Sequence, residues 1–216
     1  MLKYYKIVIG MVLLLSGNLV WGQSHLGVYS GLNFGNLLGD APEDGYYYSL
    51  PGFTGGANLD VSINKILAVS VQPSFSQGGT SVYFKVAGKR ELVDSIFIRL
   101  NYFSLPLLLK IESTNKHFYA IGGFEAAYLF SYSVYSGDEK LDEDLGISTF
   151  DLTAQFGAGY RFFLGLPRLY LELRYAQGIV NLTDRLNEEN YIPRVKTSGF
   201  KFLVGIEFPL GKPSKQ

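Results

Sequence analysis

The 216-residue chain contains no cysteine, one tryptophan (Trp21), two histidines and no surplus of charge, with 19 basic and 19 acidic side chains. Without cysteine there is no disulfide framework, no thiolate metal site and no thiol nucleophile. Balanced charge removes the basic face that nucleic-acid binding needs. Long apolar runs are missing too. Beyond the first 22 residues, the longest uncharged apolar stretch runs from Leu100 to Leu109 and includes Asn101, Ser104 and Pro106. A spanning helix needs about 20 apolar residues. Yet 47% of the chain is hydrophobic, with 25 Gly, 16 Phe and 16 Tyr. An apolar chain without spanning helices points to strands that face lipid, and its length suits one domain.

Met1 to Gly22 reads as a signal peptide. Lys3 and Lys6 supply the positive start, Ile7 to Leu15 a short apolar core, and Val20-Trp21-Gly22 a small residue at the cleavage position. Removing this segment leaves 17 basic against 19 acidic side chains. No cysteine follows the apolar core, which excludes a lipid-anchored lipoprotein. A β-barrel is expected over 23–210 and a hydrophilic tail over 211–216.

The remainder alternates with period two. Phe53, Gly55, Ala57, Leu59 and Val61 face one side, and Thr54, Gly56, Asn58, Asp60 and Ser62 the other. The same division recurs over 67–76, 150–162 and 200–208. Alternation of this length marks half-buried strands. Strands are expected near 25–36, 51–61, 67–77, 95–112, 117–133, 148–162, 169–181 and 197–210. The connections then run 14, 5, 17, 4, 14, 6 and 15 residues. Short turns alternating with long loops are the habit of outer-membrane barrels. Aromatics near both strand ends, among them Phe34, Phe75, Phe130 and Phe200 at one end and Phe118, Tyr160, Phe162 and Phe208 at the other, match two girdles at the headgroups. The expected fold is therefore all-β: an eight-stranded antiparallel up-and-down transmembrane β-barrel with its lumen plugged by side chains and both termini in the periplasm.

Strand four breaks the alternation, because Arg99 and Asn101 share parity with Leu105, Leu107 and Leu109. A one-residue bulge between Tyr102 and Leu105 restores it and turns Arg99 inward. The inward charges are then Asp60, Glu125, Asp151, Glu172 and Glu207 with Arg99, Lys110, Arg161, Arg174 and Lys201, graded by depth into three near-neutral layers. Buried charges need partners, and a barrel this narrow has room only for side chains. An internal ion-pair network is expected rather than a pore. Gly27, Gly31, Gly56, Gly123, Gly157, Gly159 and Gly205 are expected to point inward with it.

Catalytic chemistry is sparse. His25 and His117 both fall at the short-turn end, without a serine and an acid at recognisable spacing. No phosphate loop and no paired-histidine metal motif occurs, so no cofactor, metal or catalytic residue is assigned. The outer loops hold other candidates. Asp138, Glu139, Asp142, Glu143 and Asp144 form an acidic loop that lacks calcium-loop spacing but suits divalent bridging to anionic glycolipid. Tyr46, Tyr47 and Tyr48 suit either a partner interface or the membrane rim.

The segments "NYFSLPLLLKI" (101–111), "GAGYRFF" (157–163), "LYLELRYAQGIVNL" (169–182) and "FKFLVGIEFPL" (200–210) resemble the PorT-like outer-membrane β-barrel family of Bacteroidetes-type bacteria. That resemblance implies an outer-membrane location, lipid and lipopolysaccharide as surroundings, and a link to type IX secretion with secretion-system or envelope proteins as partners. It carries no catalytic residues. Such barrels often end on an aromatic residue, whereas here Phe208 is followed by Pro209, Leu210 and the tail. Three readings stand: a non-catalytic structural or accessory barrel, a surface-binding barrel using its outer loops, and a secreted lipocalin-like binder of a small apolar ligand. The last requires the faces reversed.

Overall fold

The computed structural model describes residues 24–40, 45–85, 92–137, 139–141, 146–163, 165–183 and 194–210. The segment 1–22, expected to be a signal peptide, and the tail 211–216 lie outside them. Ten strands follow in order: β1 (Ser24–Gly39), β2 (Gly45–Ser62), β3 (Leu67–Val71), β4 (Ser74–Lys85), β5 (Leu92–Glu112), β6 (Phe118–Ser136), β7 (Glu139–Leu141), β8 (Phe150–Phe162), β9 (Arg168–Gly178) and β10 (Val195–Leu210). All pairings are antiparallel. β1 lies between β2 and β10, and the ladder continues through β9, β8, β6 and β5 to β3 and β4, which return to β2. The sheet thus closes on itself.

The expected eight strands are corrected to ten. The third expected strand divides at Gln72–Pro73, and residues 139–141 fold back onto β6 as β7. The division has a local cause. Ala57 donates to the Pro73 carbonyl at 3.1 Å and Gln72 to the Pro106 carbonyl at 3.0 Å, but proline has no N–H to return either bond. Two neighbouring ladder pairs are therefore half-bonded at one height, while the register on either side is unbroken.

The alternation of connections is also altered. β1 and β2 are separated only by residues 40–44, and β4 and β5 only by 86–91, because the strands run on into the first and third expected loops. Tyr46–Tyr48 consequently lie on β2. The ring has a turn end, with connections at 63–66, 113–117 and 163–167, and a loop end where β2, β4, β5 and β6 project as a wall.

Apolar side chains face outward around the ring: Leu26, Val28 and Leu32 on β1, Leu105, Leu107 and Leu109 on β5, Phe202 and Val204 on β10. Polar ones face inward. Aromatics gather at the turn end, where Phe118 and Phe162 each pack on Tyr160 at 4.7 Å. A second set lies toward the loop end, where Phe103 stacks on Phe130 at 4.5 Å and Tyr175 approaches Phe200 at 5.1 Å.

The bulge expected in strand four is absent, since residues 102–104 pair with β4, and 102–105 with β6, without a shift of register. The extra residue belongs to the neighbour. Asn101 pairs with Ser131 but Tyr102 with Leu129, so β6 carries Phe130 unpaired. Even-numbered residues of β5 accordingly face inward from Leu100 to Lys110. Leu100, Tyr102 and Leu108 are buried and Arg99 is exposed on the outside.

Candidate functional site

The interior at the turn end is built on Lys110, whose side chain is wholly inaccessible. Its Nζ lies 2.6 Å from Asp60 Oδ2 and 3.7 Å from Glu207 Oε1. Arg161 reaches Asp60 at 3.7 Å and Glu207 at 3.2 Å, and adds Glu112 at 2.6 Å. Ser70 donates to Asp60 at 2.5 Å. These groups come from β2, β3, β5, β8 and β10, so the cluster ties together strands far apart in sequence. Glu112, which also receives Lys116 at 2.7 Å, was not singled out from the sequence. Its even parity with Lys110 is the signal that places it inside.

In the middle of the ring Arg174 pairs with Glu172 and donates to Gln72 Oε1 at 2.6 Å. Tyr119 donates to Glu172 Oε2 at 2.7 Å. The Arg161 guanidinium lies 4.6 Å from the Tyr119 ring centroid, and Lys110 Nζ lies 5.7 Å from that of Tyr170. These rings lie over glycine. A Cβ on Gly159 would fall 2.2 Å from Tyr119, and one on Gly205 2.3 Å from Tyr170. Glycine at these two positions lets large polar-tipped rings fill a narrow interior.

Toward the loop end, Lys201 Nζ contacts Glu125 at 2.7 Å and Gln155 donates to the same carboxylate at 2.5 Å. Asp151 accepts from Thr197 at 2.7 Å. A cavity of about 60 Å³ remains here, bordered by Asn33, Ser76, Glu125, Asp151, Thr153 and Lys201. Above it the interior turns apolar. Leu37, Leu100, Tyr102, Leu129, Leu182 and Val195 form one buried cluster, with Tyr47, Ile98 and Ile147 packed against it. Polar-inside patterning gave no hint of this stopper, whose members come from several strands and from residue 182 in a connection.

Of the ten expected interior charges, nine are buried in the ring. Arg99 is the exception: it stands on the outer surface, where its Nη1 donates to Gln77 Oε1 at 3.3 Å, and it has no part in the internal network. The three tyrosines also separate. Tyr47 points inward and donates to the Asp40 carbonyl at 3.1 Å, while Tyr46 and Tyr48 are exposed. Tyr48 packs edge-on against Tyr83 at 5.1 Å. In the acidic loop Glu139 is exposed on β7, and Asp138, Asp142, Glu143 and Asp144 lie outside the described residues.

Both histidines lie at the turn end, each beside an arginine. His25 Nε2 lies 2.6 Å from the Arg168 guanidinium, and His117 Nδ1 2.9 Å from the Arg161 carbonyl. Among the described residues no group of His, Asp or Glu is placed to hold a metal ion. The outward apolar face and polar interior are the reverse of a lipocalin-like binder.

Such a closed antiparallel ring, apolar outside and charged within, is the architecture of a membrane-spanning β protein. The chain belongs to the family described as outer membrane protein beta-barrel domain, whose model matches residues 19–184. No curated protein matches it. Among solved structures it is similar to the outer membrane protease OmpT from Escherichia coli, at 7% identity over 88% of this chain and 98% of that one, with a TM-score of 0.50. It is also similar to Neisserial surface protein A, at 13% identity over 85% and 97% with a TM-score of 0.48. A third is Ail, the attachment invasion locus protein of Yersinia pestis, at 16% identity over 86% and 99% with a TM-score of 0.45. The chain is thus a β-barrel protein of the outer membrane, in contact with membrane lipid.

Proposed function

We propose that this protein binds at the cell surface through its loop-end wall, with the leader 1–22 removed and both termini in the periplasm. The observation that carries the reading is the exposed aromatic surface of Tyr46 and Tyr48 on β2, with Tyr83 beside them on β4. It stands on rigid strand rather than on a loop, beyond the loop-end aromatics. Tyrosines held this way offer large amphipathic contact area at little entropic cost. The interior supports the same reading, because paired charges and the apolar stopper leave the outside of the wall as the surface available to a partner.

Purified protein in nanodiscs is to be tested for binding to immobilised neutral glycans and to extracellular-matrix protein. The Tyr46→Ala/Tyr48→Ala variant is expected to bind at least about tenfold more weakly, as for a buried aromatic anchor. Equal binding by the variant, or none by the parent protein, overturns the proposal. Orientation has its own test, since the chain has no cysteine. A single Lys140→Cys on exposed β7 is expected to react with an impermeant maleimide on intact cells.

The PorT-like resemblance of 101–111 and 169–182 supports a second reading, as an accessory of type IX secretion. In a deletion strain the surface-binding reading expects type IX cargo to reach the medium normally. Cargo trapped in the periplasm and released by complementation would replace it with the secretion reading.

A further inference from the structure

We infer that the outward face of β4, β5 and β6 at the loop end binds the phosphorylated headgroup of an outer-leaflet glycolipid, with Arg99 as the phosphate ligand. The inference rests on the orientation proposed above. Side chains there form successive rows across the three strands. The lowest is aromatic, with Phe103 stacked on Phe130 at 4.5 Å and Phe75 at 6.0 Å from Phe130. The next is Gln77, Asn101 and Ser131, joined by hydrogen bonds: Gln77 Nε2 donates to Asn101 Oδ1 at 3.0 Å, and Asn101 Nδ2 to Ser131 Oγ at 3.0 Å. In the row above, Arg99 is flanked by Gly79 and Ser133. Its small neighbours leave the guanidinium open to the outside.

The charge of this face decides the ligand. Among outward-facing residues within 75–83, 97–111 and 118–135, Arg99 is the only charged one. No carboxylate of the described residues lies within ion-pair distance of it. Gln77 takes one of the five guanidinium N–H donors, and the polar row below is uncharged. A lone cation two rows above the aromatic rings, with a polar row between, sits at headgroup depth, where phosphate is the abundant anion. Arginine's planar fork matches phosphate in a bidentate manner. A glycolipid fits the remaining geometry, its chains lying on the apolar surface of Leu105, Leu107 and Leu109 below.

The test compares the parent protein and Arg99→Gln in nanodiscs of phosphatidylethanolamine with diphosphoryl lipid A. Mild detergent extraction and native mass spectrometry then count the retained lipid. The parent is expected to keep diphosphoryl lipid A and to release the dephosphorylated form, and Arg99→Gln to keep about tenfold less, the scale of a lost charge-assisted bidentate contact. Arg99→Lys should fall between. Gel mobility without heating confirms that each variant is folded. Equal retention by parent and Arg99→Gln overturns the site. Displacement by equimolar phosphatidylglycerol or by inorganic phosphate overturns the glycolipid assignment. Maleimide labelling at position 140 reports orientation independently, so a reversed barrel is distinguished from a missing site.

Discussion

At the residue scale, stability depends on charges that no water reaches. Lys110 touches Asp60 and Glu207 from a fully buried position. Lys110→Met keeps much of the volume but leaves two carboxylates to the single Arg161, which also serves Glu112. Removing one partner of a buried pair costs about 3–5 kcal/mol, and denaturant unfolding in detergent is expected to show a loss of that order. An unchanged midpoint would mean that the cluster is wetter than its burial indicates. Asp60, Lys110, Arg161 and Glu207 were legible as one layer because inward parity and strand position together locate a side chain inside a ring. Arg99 was misplaced for a physical reason. The rule that apolar residues face outward holds only within the hydrocarbon band, and above Phe103 the outer surface is polar.

At the scale of the elements, prolines and a bulge account for the departures from simple alternation. Pro73 accepts from Ala57 but has no donor to return, which separates β3 from β4. Pro73→Ala supplies that donor toward the Ala57 carbonyl and joins the two strands. Hydrogen exchange is expected to show a protected amide at position 73, with a stability change within about 1 kcal/mol, the net worth of one such bond. An amide exchanging at a loop's rate would place the break in the twist of the sheet instead. The bulge was half legible. The conflict between Arg99 and Leu105 signalled an irregularity at this height, but an extra residue in either partner shifts the pairing equally. Only the cross-strand register assigns it to Phe130 of β6.

For the whole molecule, the interior decides what can pass. Ion pairs fill the turn end and the middle, and the apolar cluster around Leu100 and Leu129 closes the loop end. Planar-bilayer recordings are therefore expected to show no discrete conductance. Steady open-channel steps would require the stopper to move. By itself the amino-acid sequence determined the class: period-two alternation with apolar residues outward, without spanning helices, is compatible with a closed sheet in a membrane and with little else. It also determined most of the inward charges, because parity is a local property of a strand. The tertiary structure alone decided the ten-strand division, the length of the wall, the stopper, and which carboxylate meets which cation. Those depend on register between strands distant in the chain, and register is set by cross-strand hydrogen bonds and packing that no single strand encodes.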